Sequence, residues 1–131
     1  MTTRTQSILI LDDETSVRES LAGWFEDREW AVTTATTAEE ALDYLTRRRF
    51  DGALVDLRLP GMSGTEFIHR AHGQRPQLAF VIVTGSPSFR RSPEVAACDH
   101  VADELFSKPV FDLSALEQAL CRQIERCRGR S

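Results

Sequence analysis

The sequence predicts an α/β fold in which five parallel strands alternate with five helices. Three observations carry this. Short apolar runs recur along the chain, and each is followed by a segment with apolar residues at helical spacing. The connections between them are short, which suits right-handed crossovers and a parallel sheet. No repeat or low-complexity tract interrupts the alternation, and 131 residues fit one such domain, expected to span 1–131 with a core of about 7–127.

Strand one runs from about Ser7 to Asp12 over Ile8-Leu9-Ile10-Leu11. Helix one follows over about Ser16 to Arg28, with Ser16 and Glu19 at capping-box spacing and Val17, Leu21, Trp24 and Phe25 as its apolar stripe. Strand two, about Ala31 to Ala35, is more polar, as befits a sheet edge. Thr37 and Glu40 cap helix two, about Ala38 to Arg48, whose inner face is Ala41, Leu42 and Leu45. Strand three, about Gly52 to Leu57, leads into the Pro60-Gly61 turn, and Ser63 with Glu66 caps helix three, which ends near Gly73. Strand four, about Leu78 to Thr84, is apolar throughout and so is expected at the centre of the sheet. A short helix is expected to start at Ser92-Pro93-Glu94. Strand five covers about Glu104 to Ser107. Asp112 caps the last helix, whose Leu113, Leu116, Leu120, Ile124 and Cys127 follow helical spacing. The arrangement that suits five such units is a flavodoxin-like (βα)5 three-layer sandwich with strand order 2-1-3-4-5.

Composition excludes several classes. With 41% apolar and 27% charged residues the chain is neither disordered nor fibrous. A net charge of −4 argues against wholesale binding to a polyanion. Arg47-Arg48-Arg49, Arg90-Arg91 and the arginines from Arg122 to Arg130 are read as solvated helix ends, where the dipole favours cations. No apolar run approaches the ~18 residues of a membrane span. The polar N-terminus and an apolar run of four are not a secretory signal, so a cytoplasmic location is expected. Cys98, Cys121 and Cys127 form no metal-binding spacing and are read as reduced thiols. Trp24 and Trp30 are read as packing residues.

The candidate chemistry sits at strand ends: Asp12-Asp13, Asp56, Thr84 and Lys108. In an open parallel sheet these ends converge on one edge, where such folds bind ligands. Two adjacent carboxylates repel unless a cation lies between them, and a hard divalent ion such as Mg²⁺ takes carboxylate, carbonyl and water oxygens. The same acidic cluster could instead complement the dipole of helix one. Asp56 follows a buried strand and needs a partner; as a nucleophile it could form an acyl phosphate. Thr84 could donate a hydrogen bond to a phosphoryl oxygen, with Gly85 allowing close approach. Lys108 is the only lysine among 16 basic residues, and its ammonium would supply a compact charge for the same group.

The ordered set Ile8-Leu9-Ile10-Leu11-Asp12-Asp13-Glu14, Val55-Asp56-Leu57-Arg58-Leu59-Pro60-Gly61-Met62-Ser63-Gly64, Val83-Thr84-Gly85 and Ser107-Lys108-Pro109 resembles the response regulator receiver domain of two-component signalling. The resemblance covers about residues 7 to 127. It implies that Asp56 is the phosphoacceptor. It also implies that Mg²⁺ is held by Asp13, by Asp12 partly through water, by Asp56 and by the backbone carbonyl of Arg58. Thr84 would move toward the phosphoryl group, Lys108 would pair with it, and the Lys108-Pro109 bond would be cis. The implied donor is a phosphohistidine on a sensor histidine kinase or a phosphotransfer protein. The protein would not be an enzyme toward other substrates, beyond its own phosphorylation and dephosphorylation. Output would pass through the face of the fourth helix, fifth strand and fifth helix to a downstream protein target, with a phosphorylation-dependent dimer as one form; neither nucleic acid nor membrane is expected as a partner of this domain.

Two departures from the family pattern fall on that output face. The aromatic switch residue three before the lysine is Leu105, and alternation points Phe106 to the opposite side of the sheet. Val101-Ala102-Asp103 replaces the usual Ala-Gly-Ala, and 24 residues separate Thr84 from Lys108, slightly more than the family norm. Competing expectations are a phosphorylation-independent pseudo-receiver and a receiver cut from a DNA-binding regulator. A haloacid dehalogenase-type phosphohydrolase would need an Asp two residues after the nucleophile, where Arg58 stands.

Overall fold

A computed structural model describes residues 5–85 and 99–128. Five parallel strands, β1 (Ser7–Leu11), β2 (Ala31–Ala35), β3 (Gly52–Val55), β4 (Ala79–Thr84) and β5 (Val101–Ser107), form one sheet in the order β2-β1-β3-β4-β5. The described helices are α1 (Thr15–Asp27), α2 (Ala38–Arg47), α3 (Gly64–Gln74) and α4 (Leu113–Arg128). The last is the fifth helix of the sequence reading. The helix expected from Ser92-Pro93-Glu94, together with Arg90-Arg91, Cys98 and Arg130, lies outside the described residues. The fold is thus the flavodoxin-like arrangement that the alternation of elements predicts.

Strand alternation divides the core into two layers. Leu9 and Leu11 of β1, Val55 of β3 and Phe80 and Ile82 of β4 pack with Ala41 and Leu45 of α2 and Phe67, Ile68 and Ala71 of α3. The intervening Ile8, Ile10, Leu54, Val81 and Val83 face the other way, onto Leu21 and Phe25 of α1 and Leu116, Leu120, Ile124 and Cys127 of α4. Burial on both faces explains why β3 and β4 read as unbroken apolar runs. β2 is the more polar edge strand that its composition predicts. Trp30 is buried edge-on against Phe25, and its indole Nε1 donates to Glu117 Oε2 at 2.8 Å, tying the start of β2 to α4. Cys127 is buried and Cys121 half-buried; burial, helped by Glu117 and Glu125, pushes the Cys121 thiol up and keeps it protonated.

Three of the expected caps form. Thr37 Oγ1 accepts from the Glu40 N–H at 3.1 Å, Ser63 Oγ from Glu66 at 3.1 Å and Asp112 Oδ1 from Ala115 at 2.9 Å. The fourth does not. Glu14, not Ser16, is the cap residue of α1, and no side chain bonds there as a cap. Ser16 is already inside the helix, because the Asp12 carboxylate takes the Glu14 N–H at 2.9 Å and the helix starts at Thr15. Strand five begins at Val101 rather than at Glu104. Val101 pairs with Phe80, and a register irregularity follows before Leu105 pairs with Ile82. Val101-Ala102-Asp103 is therefore part of the strand. Elsewhere the sheet ends differ by one or two residues: β3 stops at Val55, leaving Asp56 just beyond it, and β4 starts at Ala79.

Gly64 brings the start of α3 against the turn after β3. Its N–H donates to Leu57 O at 3.1 Å, and a Cβ there would fall 2.4 Å from Asp56 O and 2.7 Å from Leu57 Cα. Both obstacles are backbone, so neither can swing aside. Gly64→Ala is expected to destabilise the fold by about 1–3 kcal/mol, an overpacking cost. Urea denaturation would show this as a lower midpoint at unchanged slope, and an unchanged midpoint would refute the close packing.

Candidate functional site

Parallel register delivers the predicted residues to one edge. Asp12 follows β1, and its N–H donates to Ala35 O; Asp56 follows β3, and its N–H donates to Leu11 O. Thr84 closes β4 beside Ser107, and the Lys108 N–H reaches across to Thr84 O at 2.9 Å. The Lys108-Pro109 bond is cis, as the family resemblance implies.

At this edge Asp12 and Asp56 are buried, with 2% and 3% of their surface exposed. Lys108 Nζ lies 2.7 Å from Asp12 Oδ2, 2.8 Å from Asp56 Oδ2 and 2.9 Å from Glu14 Oε1, and its own side chain is 7% exposed. The second oxygen of each buried carboxylate accepts a backbone N–H. Glu14 N donates to Asp12 Oδ1, and Arg58 N donates to Asp56 Oδ1 at 3.0 Å. Both aspartates are thus held in the same way, one oxygen on the chain and one on the ammonium. Burial pulls the Lys108 amine down, but the hydrogen bonds it donates to Asp12, Asp56 and Glu14 outweigh this and hold it above the usual lysine range. Asp12 is pushed above the usual carboxylate range by burial, which Lys108 and the Glu14 N–H offset only in part. The Arg18 guanidinium braces the same turn through Asp12 O at 3.0 Å.

Asp13 completes the cluster from the solvent side. One carboxylate oxygen from each of Asp12, Asp13 and Asp56 fits within 4.8 Å of the others. Three hard oxygen donors, one exposed and able to share its ion with water, suit Mg²⁺ better than a soft metal. Arg58 lies two residues after Asp56 and offers a further carbonyl from the same turn.

The sequence reading missed Glu14 as a partner of Lys108. Glu14 stands directly after Asp12-Asp13 in the sequence, and the pair lie 94 positions apart. Thr84 is buried at the same edge and linked to Lys108 through the backbone. Leu105 and Phe106 diverge as alternation requires: Leu105 packs toward the α2 and α3 layer, and Phe106 toward the α1 and α4 layer.

Among the described residues, no helix is long and apolar enough to cross a membrane. The family model described as response regulator receiver domain matches residues 8–121. The response regulator MprA of Mycobacterium tuberculosis is 33% identical over 115 residues, which cover 88% of this chain and 47% of that protein. The chain thus spans about half the length of the curated relatives it matches. A CheY-like receiver domain protein from Methanospirillum hungatei superimposes with a TM-score of 0.82 at 31% identity, covering 98% of this chain and 100% of that one. The signal receiver domain of an HD domain-containing protein from Pseudomonas fluorescens gives 0.84 at 28% identity, covering 100% of this chain and 97% of that one. With an acidic pocket at the expected sheet edge and a match over most of its length, the chain belongs to the response regulator receiver domain family.

Proposed function

We propose that Asp56 accepts a phosphoryl group from a phosphohistidine on a sensor kinase or phosphotransfer protein. The observation that carries this is the Lys108 ammonium bridging the buried carboxylates of Asp12 and Asp56, with Asp13 open to solvent beside them. An Asp56 oxygen would form the new O–P bond while the P–N bond breaks, its electron pair staying on the imidazole nitrogen. Attack of water on phosphorus would later release inorganic phosphate and restore the carboxylate. Lys108 moves no proton in either step; its fixed charge faces oxygens that grow more negative during transfer. Asp12, Asp13, Asp56 and the Arg58 carbonyl would hold Mg²⁺. When bound, that ion supplies charge neutralisation and orientation for the phosphoryl oxygens. Thr84, buried next to the Lys108 backbone, would bond a phosphoryl oxygen and so link the acyl phosphate to β4 and β5.

The phosphorylated state would bias a two-state equilibrium of the face that includes β5 and α4, and a protein target would read the result. Leu105 would serve there as a switch element smaller than the aromatic that the family carries. Catalysis on other substrates is not part of this reading.

Intact mass after incubation with a small-molecule phosphodonor and Mg²⁺ tests the proposal. One added phosphoryl group is expected, and none in Asp56→Asn or without Mg²⁺. Absence of an adduct under all conditions would make the chain a binding module that works without phosphorylation.

The acidic cluster also sets a stability prediction. Asp13 adds a like charge within 4.8 Å of two others, with Lys108 drawn to Asp12 and Asp56 instead. Relieving one such repulsion near water is worth about 1 kcal/mol. Asp13→Asn is expected to raise the urea midpoint in the absence of divalent ions and to reduce the stabilisation that added Mg²⁺ gives the parent. An unchanged midpoint together with an unchanged Mg²⁺ response would contradict both parts.

A further inference from the structure

At the opposite edge of the sheet, where β1, β3 and β4 begin, lies a cavity of about 480 Å³. That is within the ~300–1,000 Å³ range of small-molecule sites. Its lining brings Arg49, Arg75 and Arg128 together from the ends of α2, α3 and α4, with Phe50, Asp51 and Gln77 between them. Among the described lining residues three arginines therefore accompany one aspartate, in a chain whose overall charge is −4.

The single aspartate is already engaged. Asp51 is largely buried, accepts the Ser7 N–H at 2.7 Å and pairs with Arg128 Nη2 at 2.6 Å. Arg75 is fixed by backbone oxygens instead of by a carboxylate: its Nε donates to Leu45 O at 2.9 Å and its Nη2 to Arg48 O at 3.5 Å. These bonds hold the guanidinium in place and leave further N–H donors available. The neighbouring Arg47 and Arg48 have other uses. Arg47 pairs with Asp43, and Arg48 bonds Thr33 and covers the Tyr44 and Phe50 rings. Among the described residues neither Arg49 nor Arg75 forms a salt bridge. Reading the arginine run as a solvated helix end therefore accounts for Arg47 and Arg48, but not for two unneutralised guanidiniums at one cavity.

We propose that this amino-edge cavity is a binding site for a small phosphate-bearing anion, held by Arg49 and Arg75. The guanidinium fork matches phosphate oxygens in pairs, and a pre-fixed Arg75 loses little freedom on binding. Gln77 supplies an amide donor at the same wall. The site is distinct from the Asp56 pocket, since it sits at the other end of β3 and needs no metal.

Calorimetric titration with inorganic pyrophosphate, at low salt and in EDTA, tests this on the full chain. Binding is expected in the parent protein. It should weaken about tenfold in Arg49→Gln and in Arg75→Gln, the loss typical of one charge-assisted hydrogen bond. Arg49 is exposed, so its variant remains informative even where Arg75→Gln folds poorly. No binding in the parent, or equal binding in the arginine variants, would overturn the proposal.

Discussion

The Lys108 ammonium is the constraint around which the functional edge is arranged. Two buried carboxylates near each other cannot both stay charged without a cation, and Lys108 lies within hydrogen-bond distance of both. It is the one lysine of the chain, carried on the segment after β5, and it must cross β4 to reach residues that follow β1 and β3. The segments after β1, β3 and β5 therefore meet in one ion cluster. The backbone N–H groups of Glu14 and Arg58 take the remaining carboxylate oxygens, so the geometry of both loops is fixed by the charges they hold.

This arrangement explains why the surrounding backbone is so tightly specified. The α1 helix begins where Asp12 captures the Glu14 N–H, and α3 begins where Gly64 can lie against the Asp56 peptide. The two helices on opposite faces of the sheet are thus both registered to the same pocket. Under the proposed phosphorylation of Asp56, such coupling would convert a change at one carboxylate into a change of surface. In this chain the strand that would carry the change, β5, departs from regular pairing between Phe80 and Ile82 and turns Leu105 and Phe106 into opposite layers.

The charge distribution follows the sheet direction. Acidic groups gather where the strands end and arginines where they begin, so the −4 total conceals two ends of opposite character. Helix dipoles contribute, since α2 and α4 both finish with basic residues in their last turns. The tertiary fold then adds what no single helix end provides: three such ends brought to one cavity.

Much was legible before the structure, because the signals were local. Alternating apolar runs and helical stripes set the fold, and an acid, hydroxyl or lysine just past an apolar run marked the functional edge. Three of the four helix caps could be read from spacing, since a cap depends on residues three apart. The Ser16–Glu19 cap failed because a carboxylate outside that window, Asp12, had already fixed the helix start. What only the tertiary structure decided were pairings between distant residues: Asp12 rather than Asp13 as the buried partner of Lys108, Glu14 as its third contact, and Arg49, Arg75 and Arg128 around one cavity. Residue type and local spacing determine which groups can ionise and where a strand or helix ends. Which of them meet depends on strand order and register, and these arise from packing the whole chain.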